Sequence, residues 1–209
     1  LPIARPGIAA TADHLILLLM AKATNAAPTH ALAVVDKATA VLTGPLVKTK
    51  RLSAIAAASD GTVYGTDGAT IFRIDVKTGA QKALNLPGLA APSALAVDGS
   101  GNLVVMDAGP DRQIKIYAPD GRLLGTCGRR GGRALRGDFD SQAMREVSSA
   151  AVDAAGKVWV VESGNYPRRV SIWNPDDGSL VRDYIGNTGY AGTGCFLHDS
   201  DPALAYVGP

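Results

Sequence analysis

Three acids recur at one distance from a glycine. Asp67, Asp107 and Glu162 stand six residues after Gly61, Gly101 and Gly156. Carboxylates repeated at one register can pair with nearby cations, or converge on a metal. Asp107 precedes Arg112 by five residues and Glu162 precedes Arg168 by six. Each acid is therefore expected to close an ion pair across its own loop, a contact of small individual worth. The metal reading gathers the acids around Ca²⁺, which takes several oxygen ligands. Lone carboxylates on separate segments are not a metal motif, so the pairing reading carries more weight.

The second chemical feature is basic. Arg129, Arg130, Arg133 and Arg136 crowd one Gly-rich stretch, with Arg145 just beyond. Together with Arg112, Arg168 and Arg169 they suggest a surface for an anionic glycan or an acidic protein. Asp138, Asp140 and Glu146 offset part of that charge. No aromatic residue interrupts the run from Arg129 to Arg136, so the stacking platform of a single-strand binder is missing there and nucleic acid is disfavoured. His14, His30 and His198 are far apart, and no Ser-His-Asp set follows from spacing. The stretch from Gly186 to Gly194 lacks the Gly-Lys-Ser/Thr ending of a phosphate loop. Cys127 and Cys195 lack the spacing of a zinc site. They either pair in an oxidising compartment or remain thiols.

Positioning these residues is the task of a repeat. Leu52 to Asp67, Pro92 to Asp107 and Val147 to Glu162 align. Each has a small or apolar strand, a turn closing on Gly, and a second apolar strand ending on the acid. A third strand follows: Ile71 to Ile74, Ile114 to Tyr117, Val170 to Trp173. A fourth is expected at Gln81 to Leu84, Leu123 to Thr126 and Leu180 to Ile185. The glycine spacing is 40 and then 55 residues, the excess lying in the insertion Gly128 to Glu146. Four antiparallel strands (a, b, c and d) at that period describe a β-propeller blade. A weaker unit precedes these, with a at Ile8, b at Leu15 to Met20, c at Leu32 to Asp36 and d at Ala40 to Thr43.

The fold expected is all-β, about four blades and a fragment in an open or incomplete ring. The blades are placed at 7–50, 52–91, 92–146 and 147–194, with 195–209 starting another or forming a tail. Alanines on strand a suit a crowded centre. Tyr64, Phe72, Tyr117, Trp159 and Trp173 suit the wider space between blades. The b–c and d–a loops share one face, where function is expected.

Apolar residues make up 46% of the 209, enough for a core, and the net charge of +2 favours no class of partner. No run reaches the roughly 20 apolar residues of a membrane helix. The chain begins at Leu1 without a signal-like stretch. It is expected to be processed or incomplete.

Ala96-Val97-Asp98-Gly99-Ser100-Gly101 through Asp107, with Arg112-Gln113-Ile114 and Asp120-Gly121, resembles NHL-type repeats of β-propellers. The likeness spans roughly residues 52 to 185, although the Asn and His that name the family are absent. The tail also resembles propeller regions of large bacterial extracytoplasmic proteins, which implies a periplasmic or secreted location. Folds of this kind host many functions. The expectation is a non-catalytic module binding protein or glycan, with no cofactor. The alternative resembles lactonase and gluconolactonase-type propeller hydrolases. That likeness implies a metal such as Ca²⁺ held near the central channel by Asp107, Glu162 and Asn165.

Overall fold

The computed structural model describes residues 7–21, 29–135, 138–164, 167–186, 195–197 and 205–207. No helix occurs among them, and four four-stranded antiparallel sheets form four propeller blades. The first holds β1 (Gly7–Ala10), β2 (His14–Ala21), β3 (Thr29–Asp36) and β4 (Val47–Thr49). The second holds β5 (Ala54–Ala57), β6 (Val63–Thr66), β7 (Ile71–Ile74) and β8 (Gln81–Ala83). The third holds β9 (Pro92–Val97), β10 (Leu103–Asp107), β11 (Gln113–Tyr117) and β12 (Leu123–Cys127). The fourth holds β13 (Val147–Val152), β14 (Val158–Glu162), β15 (Arg169–Trp173) and β16 (Leu180–Ile185). A separate pair follows, β17 (Cys195–Leu197) with β18 (Ala205–Val207).

Local chemistry sets the hairpins. Asp98 Oδ1 accepts from the N–H groups of Ser100 and Asn102 at 2.9 and 2.8 Å, and Gly101 takes φ +82°. Asp153 does the same for Ala155 and Lys157, with Gly156 at φ +76°. A short acid that caps the turn and a glycine that bends left are what the repeat's Asp-x-x-Gly encodes. The first blade departs from expectation. Its outer strand lies at Val47–Thr49, not at Ala40–Thr43. Asp36 caps the Thr39 N–H at 2.8 Å, Val35 and Leu42 make one bridge, and Gly44-Pro45 then interrupts the ladder.

The innermost strands β1, β5, β9 and β13 lie side by side in that order. Three core clusters join four blades. Ile16, Leu18 and Leu32 of the first meet Ile55, Val63 and Ile74 of the second. Tyr64 and Ile71 meet Leu103, Val105 and Tyr117. Val104, Met106 and Ile114 meet Val158, Val160 and Trp173. Tyr117 and Trp173 are fully buried between blades, as the size gradient predicts. Trp159, by contrast, is 36% exposed, because no described blade covers its side of the fourth sheet.

The c–d turn glycines also set blade spacing. A Cβ on Gly79 would fall on the Lys48 carbonyl oxygen, and one on Gly178 on the Thr126 carbonyl oxygen. The turn of one blade thus packs directly on the outer strand of the blade before it. Gly156, in an a–b turn, meets nothing within 4 Å. Gly156→Ala should cost about 1–2 kcal/mol, for the left-handed backbone alone. Gly178→Ala should cost roughly twice that, by adding a steric clash between blades. Thermal melts of the two variants, compared side by side, check this.

Candidate functional site

The four innermost strands begin around one cavity of about 820 Å³. All four sheets line it, and it opens where the b–c and d–a loops meet. Its polar lining includes Arg51, Ser53, Asp67, Glu146, Ser149 and Ser163; alanines and Val147 supply apolar wall. Ser53, Ser93 and Ser148 stand at one register of the repeat. Their hydroxyls donate to the carbonyls of Thr66, Met106 and Val161 at 3.1, 3.5 and 3.3 Å. Each oxygen keeps lone pairs for a ligand's hydroxyl. Burial raises the Asp67 carboxyl, but the N–H groups of Ala69 and Thr70, with Arg51 nearby, hold it below the ordinary range.

The repeated acids do not share this cavity equally. Asp67 is exposed and caps its own loop. Asp107 is fully buried. Its Oδ1 accepts from the N–H groups of Ala91 and Gly109 at 2.8 and 3.0 Å, and its Oδ2 pairs with Lys115 Nζ at 2.7 Å. Lys115 also reaches Asp111 at 2.8 Å and the Gly88 carbonyl, and Arg130 closes on Asp111 at 2.7 Å. Burial works to raise the Asp107 carboxyl; the bonds from Lys115, Ala91 and Gly109 prevail and hold it below the usual range.

Glu162 is 1% exposed and joins two buried arginines. Arg133 Nη2 lies 2.6 Å from its Oε2, and Arg169 Nη1 lies 3.1 Å from its Oε1. The Arg145 N–H adds a bond of 2.9 Å. Arg169 also donates to the Ala143 and Ser141 carbonyls and pairs with Asp183 at 3.1 Å. The Phe139 ring stacks under Arg133 at 4.7 Å. Burial pushes the Glu162 carboxyl above the ordinary glutamate range, against the pull of Arg133, the Arg145 N–H and Arg169.

The arginines expected to form one basic face therefore divide. Arg133 and Arg169 are interior and hold the insertion on the fourth blade. Arg129 pairs with Asp140 at 3.0 Å, Arg130 with Asp111, and both remain largely exposed. Arg112 and Arg168 are exposed and make no ion pair among the described residues. Arg136 and Asn165 lie outside the described residues. The acids' partners also differ from the expected ones: Asp107 takes Lys115 instead of Arg112, and Glu162 takes Arg133 and Arg169 instead of Arg168. Strand pleat explains this. Lys115 pairs opposite Val105 on the inward side of β11, and Arg169 pairs opposite Glu162 itself. Among the described residues no three potential metal ligands gather. Cys127 is a buried free thiol, pushed up to about 12 by burial and the charge of Asp177.

Lys115, absent from the residues singled out by spacing, has a signal in its strand pattern. In Gln113-Ile-Lys-Ile-Tyr117 it shares the pleat face of the buried Tyr117, so its ammonium must meet an acid. Gly109 and Gly164, two residues past their acids, carry a second signal. A Cβ on the first would strike Ala90 and Asp107, and one on the second would strike Glu146.

Arg133→Ala leaves Glu162 short of a partner and frees the insertion. A stability loss of about 3–5 kcal/mol is expected in denaturant melts. Faster tryptic cleavage after Arg129 and Arg130 should accompany it. The folded value of Asp107 lies below its unfolded one, so its stability contribution is complete above about pH 4 and lost as pH falls through the folded value. Asp107→Asn should lower Tm at pH 7 and flatten the acid limb of a Tm-against-pH curve.

No family model matches the chain, and neither does any curated protein. Solved structures do match, at the level of fold. Virginiamycin B lyase from Staphylococcus aureus aligns with 97% of this chain and 62% of its own, at 16% identity and TM-score 0.54. A catalytically inactive variant of that lyase with quinupristin gives TM-score 0.56 at the same identity and coverage. A Bacteroides thetaiotaomicron protein of unknown function aligns over 83% of this chain and 46% of its own, at 19% identity and TM-score 0.55. The chain thus spans about three-fifths or less of these structures' lengths, and what it shares with them is the β-propeller fold.

Proposed function

We propose that this chain is a non-catalytic propeller module that binds an anionic glycan at the mouth of its central cavity. The observation that carries the reading is the lining of that mouth. Serine hydroxyls stand at equivalent positions of three blades and face one concavity of about 820 Å³. Hydroxyls in a fixed ring suit a ligand rich in hydroxyls. Arg51 at the mouth, with Arg112 and Arg168 on the loops, supplies cation for a uronic carboxylate. The buried acids are engaged within the blades, and no observation favours the metal-dependent hydrolase reading. The Asp-capped a–b turns and the acid at the end of strand b support the NHL type of repeat. A glycan ligand fits the expected extracytoplasmic location.

Titration calorimetry with uronic-acid oligosaccharides and their neutral counterparts tests the reading. The uronic series should bind. Arg51→Ala, and Ser53→Ala with Ser148→Ala, should each weaken it about tenfold, or about 1.4 kcal/mol. Silence across the panel, or binding untouched by these changes, would sink the proposal. Heat evolved with neutral sugars alone would remove the arginines from it.

A further inference from the structure

The interface between the first and second blades departs from the rule the next two follow. On strand c, Ile74 pairs opposite Val63, Tyr117 opposite Leu103 and Trp173 opposite Val158, one register in three blades. Tyr117 and Trp173 fill the space toward the preceding blade and are fully buried. On the facing strand b, the first blade has Ile16 where the second has Tyr64. Between the second and third blades the two tyrosines belong to one core cluster, and the cavity beside them is about 70 Å³. Between the first and second, where both positions are isoleucine, the corresponding cavity is about 500 Å³.

The interrupted outer strand of the first blade widens this cleft. Thr43 N–H donates to the Val34 carbonyl at 2.9 Å, Gly44-Pro45 leaves the ladder, and β4 resumes opposite Leu32. No regular strand d therefore runs beside Val34. The wall is apolar: Ile16, Val34 and Val47 of the first blade, Val63 and Val76 of the second. The rim reverses charge relative to the other blades. Three residues past Ile74, Tyr117 and Trp173 the c–d turn carries Lys77, Asp120 and Asp176. His14, at the start of β2, adds a ring N–H. The acids near these two groups are engaged in their own turns. Asp36 accepts from the Thr39 N–H and hydroxyl at 2.8 and 2.7 Å, and Asp75 from the Lys77 and Thr78 N–H groups at 2.8 and 3.3 Å. The Lys77 ammonium closes no salt bridge among the described residues.

We propose that this cleft binds a small aromatic carboxylic acid, its ring among the valines and its carboxylate at Lys77 and His14. The ligand's ring takes the place that Tyr117 and Trp173 occupy in the neighbouring interfaces. A mainly apolar cleft with a few polar groups at one end suits such a molecule. Seating the ring removes water from the aliphatic walls, and the ammonium gives the carboxylate a charge-assisted hydrogen bond. The site opens among the a–b and c–d turns, on the face opposite the serine-lined mouth. The described residues lining it come from two consecutive blades, away from the outer sides of the first and fourth.

Titration calorimetry of the 209-residue chain with phenylacetate, indole-3-acetate and the amide of each tests this. At least one acid should bind, and about tenfold more tightly than its uncharged amide. Lys77→Asp, which gives the turn the acid of the other blades, should remove that preference. Ile16→Tyr places the second blade's ring in the cleft and should abolish binding of acid and amide alike. Circular dichroism melts show whether that variant is folded; if it is not, Val34→Phe fills the cleft from the opposite strand with the same expected loss. Silence from both acids overturns the proposal. So does equal affinity for acid and amide, a preference that persists in Lys77→Asp, or binding that survives in a folded variant with the cleft filled.

Discussion

A carboxylate cannot be buried and ionised without partners, and this constraint organises two of the four blades. Strand b of the third and fourth blades ends on an acid that lies inside the protein. Each must collect hydrogen bonds and a cation where water is absent. The groups within reach belong to the chain crossing from the previous blade. Asp107 takes the N–H groups of Ala90 and Ala91, and Glu162 that of Arg145. The same crossing chains are gripped from the c strand, by Lys115 and Tyr117 in one blade and Arg169 in the other. The acid therefore fixes where strand a of its own blade begins. The second blade manages otherwise, with Ser53 N–H on the Thr66 carbonyl at 2.6 Å and its acid outside.

That arrangement bears on the cavity. Strand a carries the serines at the mouth, so the clamps that place strand a also place the hydroxyl ring. The charges of each clamp balance internally: Lys115 and Arg130 with Asp107 and Asp111, Arg133 and Arg169 with Glu162 and Asp183. Little of this charge is left to face a ligand. The groups left for binding are smaller and more evenly spread, and the long insertion is a braced loop whose interior arginines hold it down.

Blade-to-blade packing follows a second rule. Side chains alternate across each strand, and both sides of an inner blade must be apolar. The third sheet shows the outcome, with β10 buried at every residue. On the outer sides of the first and fourth blades the same alternation places Ile8 and Leu17, and Trp159 and Val161, where no described blade meets them. The c–d glycines then govern how closely neighbours approach, since their missing Cβ admits a carbonyl from the preceding sheet.

The repeat was legible in the sequence because its signals are local. The glycine that turns left, the Asp that caps the hairpin and the alternating apolar strand each act within a few residues, so their spacing revealed blades and period. The first blade's outer strand was misplaced because Gly44-Pro45 shifts the ladder beyond its hairpin. Side-chain fate was another matter. Arg133 and Arg169 read as exposed charge, and Arg112 and Arg168 as partners of the acids. Only the folded chain decided that Lys115 and the two buried arginines take those roles. Pleat direction and the path of a crossing loop, which bring together groups up to 29 residues apart, determine which cation meets which carboxylate. Spacing along the chain measures neither, so the acids' register came from the sequence and their chemistry from the tertiary structure.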